Sequence, residues 1–370
     1  MIYSPALLEE WMRKYYYDAK IDIGSSGVYP WSFGELREKL QIHTDELDEI
    51  KLMDSTSYGH QLLRYEISER WSNGNPNSVM VTHGSSEGLY LALNSLLNAG
   101  DHVIILDPCY HSVESISTQI GCQLTRWYLR EENGFKADID ELKKLMKQNT
   151  KMLILNFPHN PTGTTITNKE LMKIIELASE FDVFLLWDGA FTDLVYDTEP
   201  LEDPTKYYKK AISTGTFSKC YGLPGLRFGW CIAAPEILEK FIPLRDRMTL
   251  HLSPLVEYVA LKTVRNIDTL LHSRLNEVKQ NLAYLSNWMN ENTKYIEFNP
   301  PGGGVTVFPK IKSYIDVEQL CHELGKKYNV LLVPGTCFGN PQRVRLGFGC
   351  TARELHLGLS SLEQCLKNNI

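Results

Sequence analysis

Between about residues 79 and 233, short apolar or β-branched runs alternate with longer amphipathic stretches, and this alternation limits the fold more than any other feature. Runs at 79–82, 102–106, 122–128, 152–157, 183–187, 212–214 and 227–232 read as strands. Stretches at 86–97, 139–146, 168–180 and 204–210 read as helices between them. Strand, helix, strand in sequence is how a parallel sheet with covered faces is built, so the expected class is α/β with a mostly parallel seven-stranded sheet. Ligands of such sheets bind just past the C-terminal ends of the strands.

Beyond Pro254 a helical pattern runs to about Asn292, followed by strand-like pieces at 304–309, 330–333 and 343–347. These predict a smaller α+β lobe, which the N-terminal segment joins. That segment reads as a short turn followed by an amphipathic helix through residue 11, with Glu9 and Glu10 on its polar side. The glycine run 302–304 reads as a turn before a strand. A length of 370 residues suits one large unit with a smaller companion.

With 43% hydrophobic and 22% charged residues the composition is that of a globular chain. No apolar run approaches the roughly 20 residues of a membrane span, and the start lacks the basic and apolar regions of a signal peptide. Cytoplasm, with no membrane partner, is the expectation. Eight cysteines are scattered without metal-ligand spacing, which predicts free thiols and no metal. The net charge of −7 and the lack of a basic block argue against nucleic acid, and suit a cationic small molecule.

Four strand ends carry chemistry. Thr214-Gly215-Thr216-Phe217-Ser218-Lys219 closes one run with hydroxyls and a lysine, and Arg227 follows eight residues later. A neutral lysine attacks aldehydes, and an arginine with hydroxyls beside it holds phosphate. Alone, the segment is equally readable as a solvated lysine beside a flexible loop. His83-Gly84-Ser85-Ser86-Glu87 follows a strand and opens a helix, which suits either an anion site or simple helix capping. Asp188 ends an apolar run; a buried carboxylate there calls for a cationic partner, whereas an exposed one calls for none.

Asn160, in Asn156-Phe157-Pro158-His159-Asn160-Pro161-Thr162-Gly163, is an amide at a turn after another strand. Tyr110, just beyond Asp107-Pro108-Cys109, offers a ring for stacking. The glycine fingerprints of dinucleotide and P-loop sites are absent.

The order of these motifs resembles the class I/II aminotransferases of pyridoxal phosphate (PLP) fold type I, over nearly the whole chain. The resemblance implies that Lys219 holds PLP as a Schiff base, Asp188 pairs with the ring nitrogen and Asn160 bonds the ring hydroxyl. It implies a phosphate site of Gly84, Ser85, Ser86, Thr216 and Arg227, with Tyr110 stacked on the ring. Tyr58 matches the tyrosine that reaches a neighbouring subunit's phosphate, which implies a homodimer with shared active sites. Arg345, in Val344-Arg345-Leu346-Gly347, matches the clamp on the substrate α-carboxylate. The implied division is an N-terminal segment, 1–47, a PLP-binding large domain, 48–265, and a small C-terminal domain, 266–370.

One position departs from the aminotransferase pattern. Three residues after Asp188 that family usually has a tyrosine bonding the ring oxygen, and here stands Phe191. The lost donor disfavours the ring phenolate and with it ordinary amino transfer. Trp187-Asp188-Gly189-Ala190-Phe191-Thr192-Asp193-Leu194, with Ile23-Gly24-Ser25-Ser26-Gly27-Val28 and Phe33-Gly34-Glu35-Leu36-Arg37, is similar to the capreomycidine synthases. It is more similar still to the L-enduracididine cyclases of cyanobacterial guanitoxin biosynthesis.

That resemblance implies a PLP-dependent cyclase converting γ-hydroxy-L-arginine to L-enduracididine by loss of water and guanidine ring closure. The alternatives are cyclisation of β-hydroxyarginine and ordinary transamination. Glu9 and Ser25 are the candidates for the substrate guanidinium, and His251 for a helper of Lys219. Each also reads blandly, as a solvated helix face, a turn serine and a buried histidine. PLP-binding transcriptional regulators share the fold behind a DNA-binding module, for which a fold starting near residue 1 leaves no residues.

Overall fold

The computed structural model describes residues 5–312 and 316–368. Its central sheet comprises β1 (Val79–Thr82), β2 (His102–Asp107), β3 (Gln123–Tyr128), β4 (Thr150–Asn156), β5 (Phe184–Asp188), β6 (Ala211–Thr216) and β7 (Gly229–Ala233). The order is β1-β7-β6-β5-β4-β2-β3. Only β7 is antiparallel to its neighbours, β1 and β6. The fold class read from the alternation of runs is the one observed.

Each strand alternates its side chains between two apolar layers. Met80, Val103, Ile105, Met152, Ile154, Leu186 and Ile212 face one layer. Val79, Val81, Ile104, Leu153, Leu155, Leu185 and Trp187 face the other. Helices cover both faces, among them α2 (Gly84–Leu96), α3 (His111–Ile120) and α4 (Asn168–Glu180), with α1 (Leu7–Tyr15) earlier in the chain. The α4 start is fixed by a capping box between Thr167 and Glu170, and its Leu171, Ile174, Ile175 and Ala178 are buried.

Strand-like pieces of the C-terminal third make small sheets. Val344–Gly347 lies between Thr306–Val307 and Val333–Pro334, antiparallel to both. The N-terminal Ile21–Asp22 pairs in parallel with Val330–Leu331. Residues 23–27 then run against the end of Val344–Gly347, where the Gly347 N–H donates to the Ile23 carbonyl at 2.9 Å. A Cβ on Gly347 would lie 1.9 Å from the Ser25 carbonyl oxygen, and one on Gly349 2.2 Å from that of Gly27. Only glycine permits this backbone contact, which brings Ser25, Ser26 and Arg345 together.

Several expectations need correction. The last strand starts at Gly229, because Arg227 has φ 52°, a left-handed conformation that no strand accommodates. The stretch at 204–210 is a single 3-10 turn, Pro204–Lys206. The helical pattern after Pro254 is two helices, α5 (Pro254–Arg265) and α6 (Ile267–Glu291), interrupted at Asn266 with φ −121° and ψ 22°. The final helix is α7 (Ala352–Asn368). The turn expected before the N-terminal helix falls in part on residues 1–4, outside the described residues. No disulfide joins any of the eight cysteines among the described residues, and no described helix is long and apolar enough to cross a membrane.

Candidate active site

A cavity of about 890 Å³ opens beyond the C-terminal ends of β4, β5 and β6, and Lys219, Asp188, Asn160, Tyr110, Thr216, Arg227, Arg345, Ser85, Ser86, Glu9 and Ser25 all line it. Its size is that of a site for a cofactor with a small substrate. The lysine Nζ donates to Ser26 Oγ at 3.1 Å. Burial, with the Arg345 guanidinium next in weight, pushes the lysine down to about 8, so a useful fraction is neutral near pH 7.

Asp188 ends β5 and is 8% exposed. It accepts a hydrogen bond from the Ala190 N–H at 3.2 Å, and burial pushes its carboxyl up to about 6. Such a group gains from a cationic ring nitrogen. Asn156 ends the neighbouring β4, donating its amide to the Asp188 carbonyl at 2.7 Å and accepting from the Asn160 N–H at 3.0 Å. His159 bridges Thr162 Oγ1 and the Pro108 carbonyl, both at 2.8 Å, and so ties the Asn160 turn to the turn carrying Tyr110. Its burial pushes it down to about 4, which keeps it neutral.

Arg345, 2% exposed, donates from Nη2 to the Gly24 carbonyl at 2.9 Å and from Nη1 to Asn160 Oδ1 at 3.4 Å. It is a rigidly held cation, suited to a carboxylate. In the same lining, Glu9 of α1 accepts from the Tyr110 hydroxyl at 3.3 Å. Asp22 also lines the cavity, with Oδ1 accepting from the Gly24 and Ser25 N–H groups at 2.9 Å each.

The α2 start makes an anion cradle. Its N-cap is His83, and no side chain caps it, so Ser85 and Ser86 are not committed to capping. Gly84 has φ 73°, and a Cβ there would sit 2.8 Å from an Arg227 guanidinium nitrogen. Arg227 also donates to Ser218 Oγ at 3.4 Å, and Ser218 Oγ is 2.9 Å from Thr216 Oγ1. A helix N-terminus, an arginine and several hydroxyls converge there, as a phosphate requires.

Two of the expected residues lie elsewhere within one chain. Tyr58 packs beside Arg64, whose guanidinium is 5.8 Å from its ring centre, and its carbonyl accepts from Val81. His251 bonds Asp54 Oδ1 at 3.1 Å and the Leu252 carbonyl at 2.9 Å. Neither lines the cavity. Conversely, Asn156, Ser26, Ser218 and Asp22 were not singled out from the sequence. The only sequence signal for them was adjacency to motif residues.

Residues 36–362 match the family described as aminotransferase class I and II, and the chain belongs to that family. A similar protein is the capreomycidine synthase of Streptomyces vinaceus, 42% identical over 361 residues, covering 97% of this chain and 93% of the relative. The aspartate aminotransferase of Pyrococcus horikoshii is 28% identical over 78% of this chain and 75% of its own. Among solved structures, the PLP-dependent cyclase OrfR has a TM-score of 0.95 at 38% identity, covering 100% of this chain and 99% of that one. A PLP-dependent aminotransferase from Streptococcus suis has a TM-score of 0.94 at 28% identity with the same coverage. The cofactor is therefore pyridoxal 5'-phosphate, and the phosphate cradle, the buried Asp188 and the neutralisable Lys219 fit it.

Proposed function

We propose that the chain is a PLP-dependent cyclase of hydroxylated arginine that converts γ-hydroxy-L-arginine to L-enduracididine. The observation that carries this reading is the mixed charge of one cavity lining, in which the cationic Arg345 and Lys219 share the space with the anionic Glu9 and Asp22. An amino acid with a carboxylate at one end and a guanidinium at the other matches that arrangement. The similarity to a capreomycidine synthase and to a PLP-dependent cyclase supports it.

Bound PLP supplies an electron sink for the charge released when the substrate loses a proton at Cα. Lys219 takes that proton, as its lowered pKa and central position allow. Asp188 would keep the ring nitrogen protonated, Asn160 would bond the ring oxygen, and Gly84, Ser85, Ser86, Thr216 and Arg227 would hold the phosphate. Tyr110 would stack on the ring, and Arg345 would hold the α-carboxylate. Once it has given up that first proton, Lys219 removes a second, from Cβ, and passes it to the γ-hydroxyl, which leaves as water; a guanidine nitrogen then bonds to Cγ and sheds a proton, and Cβ and Cα are reprotonated, which leaves a five-membered ring. Glu9 and Ser25 hold the guanidinium during this step. Phe191, 4% exposed in the cavity wall, brings no hydroxyl to the ring oxygen.

A second reading, cyclisation of β-hydroxyarginine to a six-membered ring, is favoured by the 42% identity to capreomycidine synthase. In both, the molecule is a homodimer whose Tyr58 serves the neighbouring subunit's site, and whose domains divide near residues 47 and 265. Incubation with each hydroxyarginine, followed by determination of ring size, separates the two. A cyclic product from the β-hydroxy isomer alone rejects the first reading.

A further inference from the structure

Behind the phosphate cradle lies a charged cluster that the proposed chemistry does not use. Arg245 is fully buried at 0% exposure, and none of its three guanidinium nitrogens has a hydrogen-bond partner among the described residues. A guanidinium in such a place is costly unless opposite charge surrounds it. Its Nε lies 3.9 Å from Glu87 Oε1. Glu257, 4% exposed, adds a second negative charge that acts on the same guanidinium.

Glu87 sits in the first turn of α2, the helix whose N-terminus forms the cradle. Its carboxylate accepts from the His83 N–H at 2.6 Å and His83 Nδ1 at 3.1 Å, and also from the Thr249 hydroxyl. These bonds fix the turn that leads into Gly84, Ser85 and Ser86. Although burial pulls the other way, the same bonds hold Glu87 down at about 2, so it is ionised at any working pH. An uncompensated anion in the first turn, beside a site for a phosphate dianion, would offset the attraction of the helix N-terminus. Glu257 meanwhile accepts from Ser55 Oγ at 2.6 Å and the His60 N–H at 3.1 Å, at either end of the loop that carries Tyr58.

We propose that Arg245 is a positioning residue for the cofactor phosphate: it neutralises Glu87, which lets that carboxylate shape the cradle without repelling the phosphate. The inference rests on the phosphate site assigned above to Gly84, Ser85 and Ser86.

The test compares the affinity of the cofactor-stripped full chain for PLP with its affinity for pyridoxal, which lacks the phosphate. Arg245→Met should reduce the PLP-to-pyridoxal preference by about tenfold or more, and Arg245→Lys should retain most of it. Adding Glu87→Gln to Arg245→Met should restore the preference, because the repelling charge is gone. A purely structural role predicts the reverse, a double variant at least as impaired as the single one. An unchanged preference in Arg245→Met, or no restoration in the double variant, overturns the proposal. If Arg245→Met does not fold, the comparison of Arg245→Lys with Glu87→Gln/Arg245→Lys takes its place, and a Lys variant with a preference reduced as far as expected for Met overturns the proposal. Ser85→Ala tests the underlying site separately: if it lowers the preference while Arg245→Met does not, the cradle stands and the role of Arg245 falls.

Discussion

The Tyr110 hydroxyl donates to the Glu9 carboxylate at 3.3 Å, joining the turn after β2 to helix α1 across 101 positions of sequence. Burial, with the Glu9 charge next, pushes Tyr110 up to about 12, so it remains a neutral donor. Glu9 also lines the cavity, where in the proposed function its carboxylate holds the substrate guanidinium. Glu9→Gln removes a charge-assisted bond worth about 1.5–3 kcal/mol. The expected result is a KM for hydroxyarginine raised roughly ten- to hundredfold with PLP affinity unchanged, measured by steady-state kinetics and cofactor titration.

Lys219 sets a pH dependence. Its amine is lowered to about 8 by burial and by Arg345, and only the neutral form attacks the PLP aldehyde. The rate at which the stripped protein recaptures PLP should therefore rise with pH to a plateau, with its midpoint near 8. Lys219→Ala should lower cyclisation by roughly 10²- to 10⁴-fold or more, and stopped-flow absorbance should show no such recapture step.

Asp188 makes an opposite demand on stability. Its folded pKa of about 6 lies above the unfolded carboxylate value of about 3.9. The sign of linkage is then that its contribution is fully present below the unfolded value and is lost as pH rises through about 6. In the cofactor-stripped protein this costs at most about 3 kcal/mol at neutral pH. Asp188→Asn should remove that pH dependence and raise the melting temperature of the stripped protein at pH 8, while weakening PLP binding. Thermal melts at pH 4.5 and 8 check both signs.

Gly347 tests the N-terminal strap. A methyl group there would lie 1.9 Å from the Ser25 carbonyl oxygen, backbone that cannot yield without moving the segment. Gly347→Ala should displace Ser25 and Ser26 from Arg345 and Lys219. Lower thermal stability together with a raised KM is expected.

Phe191→Tyr would add the hydroxyl that aminotransferases usually place near the ring oxygen. The expected outcome is a gain in amino transfer to 2-oxo acids at the expense of cyclisation, read from keto acid and cyclic product in one assay.

The mostly parallel sheet is legible in the alternation of apolar runs with amphipathic stretches, and because such folds place reactive side chains at strand ends, Asn160, Asp188, Thr216 and Lys219 stand out together. Arg345, some 126 positions beyond Lys219, was placed by family resemblance. Nothing local announced it. The left-handed Arg227 reads as strand from sequence because its apolar neighbours Leu226 and Phe228 mask a backbone reversal. Ser26 and Asn156 carry no local signal, because their roles depend on tertiary partners, Lys219 Nζ and the Asp188 carbonyl. No local motif marks Arg245 in Leu244-Arg245-Asp246, and only its burial beside Glu87 sets it apart.

The most direct test of the central claim is to incubate the PLP-loaded protein with γ-hydroxy-L-arginine in heavy water and examine the product by NMR. The account predicts a five-membered cyclic guanidine with deuterium at Cα and Cβ and no 2-oxo acid. Recovery of unchanged γ-hydroxyarginine, with cyclisation confined to the β-hydroxy isomer and no deuterium at Cβ, would contradict it.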